Sequence, residues 1–122
     1  MNYDEARGYL LKCQAAIEAF PFGPEVAVMK VADKMFATLS KSDGVAHMNL
    51  KCDPHEAVML RDLFPAVRPG YHMNKRHWNT VLLDDSIPRG ELERMVDQSY
   101  ALVVAGLTRR QRDALKLLDP AD

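Results

Sequence analysis

The densest run of chemically capable side chains in this sequence is residues 72–79, His-Met-Asn-Lys-Arg-His-Trp-Asn. Lys75 and Arg76 carry charge at any physiological pH. Burying either without a partner is costly, so both are expected at the surface. Two imidazoles, two amides and one indole stand beside them. Cations seat phosphate oxygens, amides and imidazoles hydrogen-bond, and an aromatic plane stacks a base. This is chemistry for gripping an anionic backbone rather than for breaking a bond.

The spacings that other chemistries require do not occur. The four histidines are His47, His55, His72 and His77, with Cys13 and Cys52 remote from each other. No His-x-x-x-His or Cys-x-x-Cys pair exists, so no metal site is expected. There is no glycine-rich phosphate loop and no Gly-x-Ser-x-Gly elbow. Ser86 falls at a helix entry and Ser99 within a helix. Asp84 and Asp85 precede a helix, where adjacent acids are solvated and favoured by its dipole. The expectation is a non-enzymatic protein with no catalytic residue and no cofactor.

The elements that must position these groups can be read from periodicity and punctuation. Ala6, Leu10, Cys13, Ile17 and Phe20 recur at helical spacing, predicting a first helix from Tyr3 to about Ala19, capped by Asn2 and Glu5. Pro21-Phe22-Gly23-Pro24 ends it. Glu25–Val31 and Met35–Ser40 flank a tight turn at Ala32-Asp33-Lys34 and predict a hairpin. After a polar turn at Lys41–Gly44, Val45–Cys52 reads as a third strand. Asp53-Pro54-His55-Glu56 is a helix start, with Ala57, Leu60 and Phe64 facing inward. Extended pieces are expected around Tyr71–Asn74 and Asn79–Asp84. Alternation groups Trp78 with Thr80 and Leu82 and predicts Trp78 in the core. A long helix from Pro88 to Ala105 follows, and Thr108 with Gln111 opens a short terminal one. The fold class expected is α+β: two layers, one antiparallel sheet of about five strands, and helices on one face. The order is α-β(3)-α-β(2)-α plus the short terminal helix.

At 122 residues the chain is expected to be a single domain, residues 1–122, with residues 108–122 a C-terminal helical extension. Apolar residues at 48% and charged residues at 27% are the ordinary globular mix. No apolar run approaches the ~20 residues of a membrane span. The acidic start Met1-Asn2-Tyr3-Asp4-Glu5 is unlike a secretory signal, so a cytoplasmic location with two free cysteines is expected.

Net charge is −1, so a nucleic-acid partner gains no support from the total. The distribution is more informative. Residues 63–83 hold Arg68, Lys75 and Arg76 and no acid, and residues 26–52 hold Lys30, Lys34, Lys41 and Lys51 against Asp33 and Asp43. The strand blocks are basic, and most of the helical part is acidic. An anion would feel such a basic face within a Debye length of about 8–10 Å.

Residues 70–81, Gly-Tyr-His-Met-Asn-Lys-Arg-His-Trp-Asn-Thr-Val, resemble the signature of the MmcQ/YjbR family. Phe20–Pro24, Lys34–Ala37, Asn49–Pro54 and Asp97–Val104 are similar to further parts of that family, in order over residues 1–107. Ala32-Asp33 departs from the glycine common in that hairpin turn. The resemblance implies the same two-layer fold, like that of secretion chaperones. It also implies DNA binding, with the paired hairpins described as a double wing. On this reading the candidate nucleic-acid contacts are Arg68, His72, Lys75, Arg76 and His77, with Lys34 and Lys51 from the strand block. Binding would be weak and largely sequence-independent. The alternative is a protein-binding or chaperone-like module using the open sheet face, where Met29, Met35, Met48 and Met73 would make an adaptable surface. No membrane partner is expected.

Overall fold

Asn2 accepts the Glu5 N–H at 2.8 Å while the Glu5 carboxylate accepts the Asn2 N–H at 3.0 Å. This reciprocal cap opens α1 (Tyr3–Leu11) in the structure, a computed structural model that describes residues 1–118. The helix ends well short of Ala19. Turn hydrogen bonds from Cys13 N–H to Leu10 C=O and from Ala16 N–H to Cys13 C=O close it, and Ala15 takes a left-handed φ of 60°. The chain then enters a strand not anticipated from sequence, β1 (Ile17–Ala19). The apolar spacing runs on past the real helix end because Ile17 lies on an edge strand, 65% exposed. Glu18 of β1 accepts two hydrogen bonds from Arg7 of α1, each 2.8 Å, and ties the strand to the helix.

β2 (Ala27–Val31), β3 (Lys34–Ser42) and β4 (Val45–Lys51) are joined by two-residue turns. Their φ values are 47° and 66° at Ala32-Asp33, and 53° and 81° at Asp43-Gly44. Positive φ at both central positions is the turn whose twist suits a hairpin. Asp53 then caps α2 (Pro54–Leu63), accepting the His55 and Glu56 N–H groups. β5 (Val67–Pro69) and β6 (Trp78–Leu82) follow, then α3 (Arg89–Ala105) and α4 (Arg109–Leu117). The C-terminal extension expected for residues 108–122 is α4 as far as it is described; residues 119–122 lie outside the described residues.

The sheet is wholly antiparallel, with strand order β1-β2-β3-β4-β6-β5. Among the described residues six strands replace the expected five, the addition being β1. The α+β class, the single sheet and its covering layer of helices are as the sequence predicts. α3 packs on β2, β3 and β4, and α1 packs on β3. The core lies between, with Met29, Ala37, Leu39, Met48, Leu50 and Val81 buried against Leu92, Met95 and Val96.

One irregularity aims side chains. Met29 pairs with Ala37, but Lys30 pairs with Met35, so Phe36 is an extra residue in β3. A bulge bends its strand and redirects side chains. Phe36 is fully buried, edge-on to the Tyr100 ring of α3 at 5.3 Å and 89°. Its carbonyl accepts the Ser99 hydroxyl at 2.5 Å, and Ser99 Oγ accepts the Lys51 N–H at 2.8 Å. Ser99 thus joins α3 to β3 and β4 beside the bulge that shifts the β2–β3 register.

Two expectations around β6 are corrected. Tyr71–Asn74 is loop, and the strand beside β6 is instead Val67–Pro69, at the sheet edge where a proline costs no ladder bond. Trp78 is only half-buried and lies opposite Lys51. The alternation that grouped it with Thr80 is right, but the helix-facing set is Asn79, Val81 and Leu83. A buried asparagine disguised that face. Of the methionines, Met29 and Met48 are core residues, whereas Met35 and Met73 are half-buried. No described helix is long and apolar enough to cross a membrane.

Candidate functional site

Strand alternation sends Thr38, Ser40, His47, Asn49 and Thr80 to the side of the sheet away from the helices. They are polar, so burial there demands mutual hydrogen bonds. Asn49 Nδ2 donates to Thr38 Oγ1 at 3.0 Å, Thr80 Oγ1 donates to Asn49 Oδ1 at 2.5 Å, and Thr80 Oγ1 accepts the Tyr71 N–H at 2.9 Å. The ladder crosses three strands and pins the start of the β5–β6 loop onto the sheet. Next to it Ser40 Oγ and His47 Nε2 are 2.9 Å apart. Burial holds the His47 pKa below its ordinary 6.5.

Thr38, Ser40, His47 and Asn49 floor a cleft of about 560 Å³. One flank is the β5–β6 loop, with Tyr71, His72 and Met73. The other includes Phe22 and Val26 of the β1–β2 loop, with Glu25 at its rim. Tyr71 is 66% and Phe22 72% exposed. His72 holds a left-handed φ of 58°, and its ring lies 4.0 Å from the Tyr71 ring at 51°. A non-glycine residue in that region is strained, and such strain concentrates at working sites.

Arg61, in the last turn of α2, organises the rest of this loop. Its Nε donates to Asn79 Oδ1 at 2.7 Å, and its Nη2 donates to the carbonyls of Lys75 and Trp78. Asn79 in turn donates to the Ala57 carbonyl at 3.4 Å. The planar fork suits this several-fold carbonyl recognition, which an ammonium would not reproduce. The sequence reading overlooked Arg61. Its spacing of one turn from the inward-facing Ala57 was the available signal. Gly70 closes the loop: a Cβ there would stand 2.8 Å from Trp78 Cβ and 2.9 Å from the Trp78 carbonyl oxygen. Asn74 accepts the Arg76 N–H at 3.0 Å, the turn-fixing role its type suggests.

The candidate contacts fall as follows. Lys75 and Arg76 are exposed on the loop, with Lys75 Nζ 3.4 Å from the Gly70 carbonyl. Arg68 is exposed on the edge strand opposite Thr80, on the helix-free side. Lys51 ends β4 opposite Trp78, and Lys34 opens β3, so both share the loop's end of the sheet. His72 belongs to the cleft wall. His77 is half-buried and structurally engaged: its N–H donates to Asn74 and its carbonyl accepts the Cys52 N–H at 2.7 Å. None of the five lysines and arginines lies in an ion pair among the described residues. By contrast Arg7, Arg89 and Arg94 of the helical layer are each neutralised by glutamates at 2.7–3.5 Å.

The cysteines are unbridged, and burial pushes both thiols up to about 11, which keeps them protonated. A recess between sheet and helices, lined by Leu50, Cys52, Leu60 and Met95, measures about 10 Å³, room for no more than a water. Among the described residues no group of three or more His, Cys, Asp or Glu is arranged to hold a metal.

Comparison with known proteins places this arrangement in a family. The YjbR family model matches residues 11–102. Over 97 residues the chain is 38% identical to the uncharacterized protein YbdF of Escherichia coli O157:H7, covering 80% of each. It is 38% identical over 87 residues to the uncharacterized protein YjbR of Escherichia coli K12, covering 71% of this chain and 74% of that one. The crystal structure of Deinococcus radiodurans protein DR2400, of domain DUF419, superposes with a TM-score of 0.86 at 34% identity, covering 94% of this chain and 88% of the other. A Pseudomonas syringae protein superposes with a TM-score of 0.74 at 29% identity, covering 84% and 98%. With the family model spanning strands, loop and long helix alike, the chain belongs to the YjbR family.

Proposed function

We propose that this protein is a non-enzymatic, cytoplasmic DNA-binding protein that holds the phosphate backbone at the basic end of its sheet. The observation that carries this reading is a group of cations at the β5–β6 loop's end of the sheet that lie in no ion pair among the described residues. Arg68, Lys75, Arg76, Lys34 and Lys51 have no carboxylate partner among the described residues; in the helical layer Arg7, Arg89 and Arg94 are paired, whereas Lys12, Arg110, Arg112 and Lys116 are in no ion pair among those residues. Unpaired cations gathered at one end of a nearly neutral molecule give an anion-attracting surface that the total charge hides. Among the described residues no carboxylate is hydrogen-bonded to the His47 imidazole beside Ser40. Phosphate contact of this kind carries little sequence information.

The test is a fluorescence-anisotropy titration of labelled duplex and single-stranded oligonucleotides, with the double variant Lys75→Ala/Arg76→Ala as control. Salt-sensitive binding that the variant weakens equally across sequences is the expected result. Absence of binding in low salt at tens of micromolar protein would remove this reading. It would favour the protein-partner alternative, for which the exposed Ile17, Phe20 and Phe22 are the specific observation.

A further inference from the structure

The cleft on the helix-free face is more elaborate than phosphate contact needs. Its volume of about 560 Å³ lies in the range of sites that enclose a small molecule, about 300–1,000 Å³. It is far too small for a base pair with its two backbones. Its floor is polar, and among the described residues no buried side-chain nitrogen or oxygen lacks a hydrogen-bond partner. Thr38, Asn49 and Thr80 are committed to one another, but Ser40 and His47 share one hydrogen bond and retain further capacity. Its flanks are aromatic. The Tyr71 main chain is anchored to Thr80 while its ring stays exposed, tilted 51° to the His72 ring beside it, and Phe22 stands exposed on the other flank. Exposed aromatic rings on an anchored backbone form a stacking platform whose ordering cost is already met. Glu25 and Lys41 both line the cleft, and the Glu25 carboxylate can accept hydrogen bonds from exocyclic amino groups. Arg68 lies on the same face, opposite Thr80, where the ladder meets the loop.

We propose that this cleft receives one unstacked nucleotide. Its base lies between the Tyr71–His72 rings and Phe22, its edge faces Ser40 and His47, and its phosphate stays outside toward Arg68. This deepens the DNA-binding reading and rests on it. The nucleotide is supplied either by a single strand or as a free nucleoside monophosphate, and the two sources share this chemistry. A duplex, whose bases remain paired and stacked, reaches only the basic end.

The experiment compares four ligands at one salt concentration. They are a single-stranded oligonucleotide, an abasic sugar–phosphate oligomer of equal length and charge, the duplex, and cytidine monophosphate. Anisotropy reports the oligomers, and the imidazole resonances of His47 report the cleft. The base-bearing single strand should bind about tenfold more tightly than the abasic oligomer, the scale of one base–aromatic stack. Tyr71→Ala and Phe22→Ala should each erase that difference while leaving abasic binding and thermal stability unchanged, because both side chains are exposed. A His47 response to the monophosphate that Tyr71→Ala abolishes supports the free nucleotide as a source. Equal binding of base-bearing and abasic oligomers, with no His47 response to any ligand, overturns this inference and leaves phosphate binding standing. Failure of every oligomer to bind, with a His47 response to the monophosphate, overturns the DNA-binding reading and retains the cleft. Silence from all four ligands overturns both.

Discussion

Ser99 shows how one hydroxyl holds this fold. It is fully buried, donates to the Phe36 carbonyl and accepts the Lys51 N–H. Ser99→Ala leaves the buried Phe36 carbonyl and the part-buried Lys51 N–H without this partner, so unfolding in urea should show a loss of about 1–3 kcal/mol. A helical serine among apolar neighbours reveals none of this in sequence, because the bulge that needs it arises from pairing between strands. His47 is the residue-scale pH sensor. Burial lowers its folded pKa below 6.5, so on acidification the unfolded chain takes up its proton first. The contribution is intact above pH about 6.5 and is lost as pH falls from there through the folded-state value. Glu25, Lys41 and His72 line the same cleft, with the Lys41 ammonium 5.6 Å from the centre of the Tyr3 ring. His47→Gln, which keeps a hydrogen-bonding group beside Ser40, should make the thermal midpoint fall less between pH about 7.5 and about 5.5 than in the parent protein.

At the scale of elements, the β5–β6 loop is the structure on which both proposed contacts depend. Its own backbone makes two turn hydrogen bonds, Met73 N–H to Gly70 C=O and His77 N–H to Asn74 C=O, each 3.2 Å. Its anchors are the Tyr71 N–H on Thr80, the Gly70 N–H on the Trp78 carbonyl at 2.9 Å, and the Arg61 fork. Gly70→Ala would force a methyl against the Trp78 backbone, which cannot yield cheaply. A loss of about 1–3 kcal/mol is expected, with faster amide exchange confined to residues 70–77 and their contacts. Unchanged exchange there would mean the loop tolerates the clash by moving as a unit. The hairpins were more legible. Asp43-Gly44 is a strong two-residue turn signal, and it sets Ser40 opposite His47 and Thr38 opposite Asn49 by counting alone. Reading the turn as Lys41–Gly44 instead concealed that pairing.

For the molecule as a whole, the consequence of separated charge is dependence on ionic strength. If Lys51, Arg68, Lys75 and Arg76 each seat one phosphate, log K for duplex DNA should fall with log salt at a slope of about −3.6. Between about 50 and about 200 mM salt that is a loss of ~150-fold. Lys75→Ala/Arg76→Ala should flatten the slope by about two, at unchanged thermal stability. An unchanged slope in a folded double variant would locate the phosphate contacts elsewhere. Neither mutation removes a cation from an ion pair, since neither residue is in one among the described residues.

Local chemistry settled much of this protein before any packing was considered. The caps at Asn2, Asp53 and Thr108, the two tight turns, the span of the long helix and the exposure of Lys75 and Arg76 follow from interactions a few residues long, or from the cost of burying a charge. The α+β class follows from their order. What tertiary structure decided was every choice between two locally equivalent options. Ile17 continues a helical stripe equally well as it starts an edge strand, until Arg7 clamps Glu18. Trp78 and Asn79 could each face the helices, until Arg61 and the Ala57 carbonyl satisfy the asparagine amide and turn it inward. The cleft has no local signature either. Its floor comes from strands and its flanks from loops that meet only because β6 inserts between β4 and β5. Alternation with period two fixes which side chains share a face, but not which face is dry, and that depends on where the helices find room to pack.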